Sequence, residues 1–178
     1  MSVDTDGFKE KFKEHQEKSR TASKGMFKGG LAGDSETETR YHTATHLLNA
    51  ALKITVSEDV HQKGSNINNE RMRFDFSCDH KLTQEEIKNT EDLVNKWIKE
   101  DLPVSVKQMP KEEAVRIGAE HMFIERYPDI VTVYFIGDVS KEICMGPHVK
   151  STSEIGTFKI VKEEASSAGV RRIKAVIE

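Results

Sequence analysis

Apolar and polar positions along the chain change period several times, and each change marks an element. Between Ser35 and about Lys53, Leu47, Leu48, Ala51 and Leu52 recur at helical spacing. Ser35-Glu-Thr-Glu38 ahead of them has the form of a capping box, whose hydroxyl and carboxylate satisfy the first free backbone N–H groups. Residues 71–77 (RMRFDFS) alternate, which puts Met72, Phe74 and Phe76 on one face of a strand. Thr83-Gln-Glu-Glu86 is a second capping box. It opens a helix with Ile87, Val94, Trp97 and Ile98 on its buried stripe, ending before Pro103. A strand over 103–108 follows, then a short helix that Pro110 starts and Gly118 ends. The runs 130–136 (IVTVYFI), 157–162 (TFKIVK) and 169–177 (GVRRIKAVI) are β-branched or alternating and separated by turn residues, so they read as strands. Helices and strands mix without a regular βαβ beat, which predicts an α+β fold with an antiparallel or mixed sheet packed with helices.

The first 34 residues read differently. Over 7–24 only Phe8 and Phe12 share an apolar face, too little for a helix that stands alone. Gly25, Gly29, Gly30 and Gly33 then break any helix. The expected organisation is therefore a helical extension and Gly-rich linker over 1–34 and one folded domain over 35–178.

Composition narrows the class. Hydrophobic residues make up 36% and charged residues 32%, the latter above a usual ~25%, so a real core lies under a heavily charged surface. No run approaches ~18 apolar residues, so no membrane partner is expected. The net charge is −3, with 13 basic and 20 acidic residues over 31–140 and a slight basic excess at both ends. That excludes a polycation-like binder, and DNA is not an expected partner; RNA is not excluded. Two cysteines 66 positions apart make no disulfide framework, and the opening MSVDTDGFKEKF has no apolar core. The expectation is a reduced, cytoplasmic protein.

One constellation carries chemistry. His42-Thr-Ala-Thr-His46 spaces two imidazoles at i,i+4, on one helical face and about one turn apart. Far downstream, Cys144-Met-Gly-Pro-His148 pairs a thiol with a third imidazole across a turn-forming interior. The N/S set His42, His46, Cys144 and His148 suits Zn²⁺. With 7 His and 2 Cys in the chain, chance produces both spacings together only about 0.02 times. The metalloprotease helix is excluded, because no Glu follows His42.

YHTATHLLNAALK, HQKGSNINNERMRFDFS and GDVSKEICMGPHVKSTSEIGTFKIVKEEASSAGVRRIKAV, in this order, resemble the editing domain of alanyl-tRNA synthetase from about residue 40 onward. The module is also similar to free-standing alanyl-tRNA editing proteins and to the editing domain of threonyl-tRNA synthetase. The resemblance implies hydrolytic removal of serine, and sometimes glycine, from tRNA for alanine, in a fragment of the synthetase or a stand-alone protein. The chain is too short for the ATP-dependent ligase core. His42, His46, Cys144 and His148 match the family's zinc positions, and Gln62 matches a position lining the amino-acid pocket. Gln62 and Ser65 carry groups that hydrogen-bond a hydroxyl, and Gly64 permits close backbone approach. No residue is assigned as general base. Four protein ligands close a tetrahedron, whereas a hydrolytic zinc keeps a position open. A structural zinc in a tRNA-binding module, and a metal-independent threonyl-type deacylase using Cys144, therefore stand as alternatives. Alanyl enzymes commonly carry CGGTH where this chain has CMGPH. Pro147 is the threonyl-type residue, and the bulk of Met145 is expected to narrow the pocket mouth.

Arg171, Arg172 and Lys174 follow a Ser-rich turn and are candidates for phosphate contacts with the acceptor end of tRNA, against the plainer reading of a solvated strand face. Arg73 with Asp75 reads as a same-face ion pair. His15, His61, His80 and His121 lack partner spacing and read as surface residues, Cys78 as a small half-buried side chain and Trp97 as core. Glu112 and Glu113 read as a solvated first helical turn.

Overall fold

The structure, a computed structural model, describes residues 31–33, 35–122 and 124–178. The expected helix over 7–24 lies outside them. The helix α1 (Glu36–Thr55) and the hairpin β1 (Gln62–Ile67) and β2 (Met72–Ser77) come first. The helix α2 (Gln84–Lys99), strand β3 (Val104–Pro110) and short helix α3 (Lys111–Arg116) follow. Then come β4 (Ile130–Ile136), β5 (Ser140–Ile143), and the long hairpin β6 (Phe158–Ser167) and β7 (Val170–Ile177). Both helices that open on a capping box have it formed, Ser35 with Glu38 and Thr83 with Glu86.

Two antiparallel sheets result, one ordered β1-β2-β7-β6 and the other β3-β4-β5. The α+β expectation holds. Met72, Phe74 and Phe76 of β2 are fully buried beside Ile173 and Ala175 of β7, and this sheet face meets Tyr41, Leu47, Leu48 and Leu52 of α1. Val94, Trp97 and Ile98 of α2 close the same core. A smaller core of Ala114, Ala119, Val131, Val133 and Ile143 lies at the three-stranded sheet.

Two strands are absent from the sequence reading. β1 is polar, with Ile67 its one fully buried residue, and its register is broken between Gln62 and Gly64. β5 is only four residues long, and its buried positions include Ser140 and Glu142. β3 runs on to Pro110, so α3 starts at Lys111. Ahead of α1, the Ala32 N–H bonds to the Ile67 carbonyl at 3.0 Å, tying the described residues before the helix to the β1 edge.

Candidate metal centre

Helix α1 is enclosed on nearly every side. From Tyr41 to Asn49 each residue is buried, including His42, Thr43, Thr45 and His46. Such a polar set inside a protein needs partners, and the loop after β5 supplies them. Cys144 N–H bonds to the Thr132 carbonyl on β4 at 3.1 Å, which hangs the loop from the three-stranded sheet opposite α1.

Across that gap four side chains converge. One donor atom each from His42, His46, Cys144 and His148 lies within 4.8 Å of the others. The ring centroids of His42 and His148 are 4.2 Å apart, those of His46 and His148 4.4 Å, and those of His42 and His46 5.1 Å. Cys144 Sγ is 3.3 Å from His42 Nε2.

The outer contacts orient each ring. His42 Nδ1 donates to the Pro147 carbonyl at 2.9 Å, turning Nε2 inward. Thr43 Oγ1 donates to the Thr39 carbonyl, so it accepts from Val149 N–H at 3.2 Å and from His148 Nδ1 at 3.0 Å. His148 Nε2 is then left without a partner. His46 Nε2 faces Glu142 Oε2 at 3.5 Å, and its Nδ1 is buried and unpartnered. Tyr134 covers His148 with a centroid distance of 4.2 Å. Gly146 packs directly on His42.

Burial holds these groups uncharged. It lowers His42 to about 4, against the pull of the Pro147 carbonyl, and lowers His46 and His148 well below the usual imidazole value. It pushes the Cys144 thiol up to about 12. Neutral imidazoles with two orphaned ring nitrogens, beside a soft sulfur, form a donor set that could hold a metal ion.

Sequence reasoning passed over Glu142. Its carboxyl is buried, Asn49 Nδ2 donates to its Oε1 at 3.2 Å, and burial raises it to about 8 against the opposing pull of Asn49 and Ser140. Two signals existed. Glu142 shares alternation with Cys144, and His42, His46, Asn49 and Lys53 form a polar stripe at helical spacing on α1. Lys53 ends that stripe by pairing with Glu120.

A cavity opens beside the centre, walled by His42, Thr45, His46, Asn49, Glu142 and Cys144 and bordered by Gln62, His61, Glu120, His121, Met122 and Tyr127. Gln62 is thus one of the residues that border this cavity. Gly64 and Ser65 do not line the cavity. Gly64 pairs with Asp75, and Ser65 Oγ accepts from Gln62 Nε2 at 3.1 Å. His61 and His121 are exposed, as read, yet both border the mouth. Met145 does not narrow it: half exposed, it is not among the lining residues.

The three basic candidates on β7 are each paired with a carboxylate. Arg172 grips Asp75 through Nε and Nη2 at 2.7 and 2.8 Å, Arg171 Nε meets Glu163 at 2.5 Å, and Lys174 meets Glu164 at 2.9 Å. Arg73 does approach Asp75, at 3.8 Å, but Arg172 is the closer partner. Trp97 is core and Cys78 half-buried, as expected.

Residues 131–174 match the family described as Threonyl and Alanyl tRNA synthetase second additional domain. The alanine–tRNA ligase of Treponema denticola is 55% identical over 178 residues, all of this chain and 30% of that protein. That of Borrelia hermsii is 53% identical over 177 residues, 99% of this chain and 30% of that protein. That of Thermotoga maritima is 51% identical over 141 residues, 79% of this chain and 16% of that protein. The chain thus spans less than a third of the length of these curated relatives. The match to the threonyl and alanyl tRNA synthetase second additional domain thus lies in the last third of a chain that is similar along its whole length to a segment of alanine–tRNA ligases.

Proposed function

We propose that this domain hydrolyses the ester between a wrongly attached small amino acid, serine first and glycine second, and tRNA for alanine, with zinc in the His42–His46–Cys144–His148 centre. The observation carrying this reading is the convergence of four donor atoms within 4.8 Å beside a cavity that Gln62 borders. A divalent ion held there supplies Lewis acidity that stabilises negative charge developing on an ester.

The chain's own residues do the rest. Glu142, between His46 and the cavity, faces His46 Nε2 through Oε2 at 3.5 Å and so helps orient that ring. Asn49 keeps that carboxyl in place through Oε1. The Gln62 amide, held through Nε2 by Ser65 Oγ, offers its Oε1 to a serine hydroxyl that alanine lacks, which favours seryl over alanyl esters. The partner is the aminoacylated acceptor end of tRNA, and the two free thiols suit a reducing cytoplasm.

The closed four-donor set equally suits a structural zinc, and one experiment separates the two readings. Ser-tRNA for alanine is incubated with the zinc-loaded protein, with and without chelator, while far-ultraviolet circular dichroism follows the fold. The expected result is hydrolysis that chelation stops without unfolding. His46→Ala should lose both zinc and activity, and Gln62→Ala should lose discrimination between serine and alanine at little cost in stability. Absence of hydrolysis by the zinc-loaded protein would overturn the proposal, and unfolding on chelation without prior hydrolysis would establish the structural role. Full activity of metal-free protein would instead point to the threonyl-type alternative.

A further inference from the structure

The turn that leaves β2 carries three different donor types in succession: the thiol of Cys78, the carboxylate of Asp79 and the imidazole of His80. One ligand atom from each lies within 4.8 Å of the other two. His80 Nδ1 is the meeting point, 3.6 Å from Cys78 Sγ and 3.0 Å from Asp79 Oδ1.

The opposite ring nitrogen is held by a fixed group. His80 Nε2 lies 3.1 Å from Glu86 Oε1, while Glu86 Oε2 accepts the Thr83 N–H at 2.7 Å as part of the capping box that opens α2. A helix terminus therefore helps set the ring orientation, in which Nδ1 faces Asp79 Oδ1 and, farther off, the Cys78 sulfur, whose S–H reaches the His80 carbonyl at 3.3 Å. A carboxylate on the far nitrogen of a histidine is the usual outer support of a ligating imidazole.

We propose that Cys78, Asp79 and His80 form a second metal site for a borderline divalent cation of the zinc type, separate from the centre on α1, with Glu86 orienting His80. Bonds of about 2.0–2.1 Å to nitrogen and about 2.3 Å to sulfur, opened to a tetrahedral angle, put the two donors about 3.6 Å apart. That is the separation between Nδ1 and Sγ already present. The same construction for nitrogen and oxygen gives about 3.3 Å, so Asp79 need only swing outward by a few tenths of an ångström. Asp79 is free to do so, its side chain being 98% exposed. The three residues line a surface groove with Ser57, Asp59 and Gly169, so an ion enters from solvent and the remaining position falls to water. With Asp79 and His80 open to solvent, binding here is expected to be weaker than at the buried centre. His80 and Cys78, read from sequence as unconnected surface and half-buried residues, thereby acquire a common task.

The test is metal stoichiometry and thiolate spectroscopy on the full chain. The protein, preloaded with one equivalent of Zn²⁺, is titrated with Co²⁺ while the ultraviolet thiolate-to-cobalt charge-transfer band is followed, in wild type, Cys78→Ser and His80→Ala. The wild type is expected to bind one equivalent more than either variant, with a band that both variants lose, and Glu86→Gln is expected to weaken the second binding step. Equal stoichiometry in wild type and Cys78→Ser, or a band that survives both substitutions, would overturn the proposal. Cys78→Ser should leave the four-donor centre and any Ser-tRNA hydrolysis unchanged, so failure here and failure of the deacylase reading are distinguishable.

Discussion

Replacing Gly146 by alanine sets one methyl group into the tightest corner of the buried centre. Built on the observed backbone, the added Cβ lies 2.4 Å from His42 Cε1, 2.8 Å from His42 Nδ1 and 2.8 Å from Leu31 Cδ1. Carbon atoms rest at about 3.5–4.0 Å, so the shortfall against the ring is about 1.1–1.6 Å. Gly146 is not in the left-handed region of backbone space, so the demand is for room and not for conformational freedom. The ring is the group that must yield, and it is held on both sides, by the Pro147 carbonyl at 2.9 Å and by Cys144 Sγ at 3.3 Å. Forcing a methyl into packed surroundings costs about 1–3 kcal/mol. Moving a ligand nitrogen by roughly an ångström far exceeds the ~0.2 Å tolerance of a metal bond. Gly146→Ala is therefore expected to destabilise the metal-free protein by about 1–3 kcal/mol and to weaken zinc binding by at least the roughly 10–100-fold seen when outer supports of a ligand are lost. Urea unfolding of the metal-free form and chelator competition measure the two effects. Unchanged zinc affinity, with stability within about 0.5 kcal/mol of wild type, would refute the steric argument.

Three further outcomes follow from the geometry. Thr43→Val keeps the shape but removes the hydroxyl that accepts from His148 Nδ1 and Val149 N–H; zinc affinity in chelator competition should fall about 10-fold or more. Arg172→Ala leaves a buried Asp75, 8% exposed, with only the more distant Arg73 at 3.8 Å, and should cost about 1–3 kcal/mol in urea unfolding. If the pair serves only the sheet, the salt dependence of tRNA binding should not change with that substitution. Phe74→Ala empties a fully buried position between α1 and the four-stranded sheet and should cost about 3–5 kcal/mol, leaving zinc stoichiometry intact wherever the protein remains folded.

The parts of this fold that sequence exposes are those encoded locally. Both capping boxes, the alternation of Met72, Phe74 and Phe76 and the stripe of α2 all reappear, because each answers to neighbours within a few residues. β1 escapes because its pairing rests on backbone bonds to β2, not on an apolar face. β5 escapes because Glu142, which composition assigns to solvent, is drawn inside by His46 and Asn49 from a helix about ninety residues earlier. The four His and Cys side chains that converge are legible from two short spacings, but the groups that aim them are not. Thr43, Glu142 and the Pro147 carbonyl act across the space between α1 and the loop, and no spacing rule reaches that far. The β7 cations show the converse: their alternation was visible, their carboxylate partners on β2 and β6 were not.

The loop from Cys144 to His148 divides into positions that face the centre and one that faces water, and this decides which departures from a family motif matter. Cys144 and His148 supply donor atoms, Gly146 has no space for a side chain, and Pro147 acts through its carbonyl, a group every residue possesses. Met145 alone points outward, 50% exposed and away from the cavity wall. A change between glycine and methionine there alters exposed apolar area and unfolded-state freedom, not the shape that an amino acid meets. Met145→Gly is accordingly expected to leave zinc affinity and any preference between seryl and alanyl esters unchanged, with at most about 0.5–1 kcal/mol lost to added backbone freedom. A shift in that preference would move the wall of the amino-acid cavity to this side of the loop. Without such a shift, the proposed selectivity is assigned to residues that do line the cavity, Gln62, Thr45 and Asn49 among them.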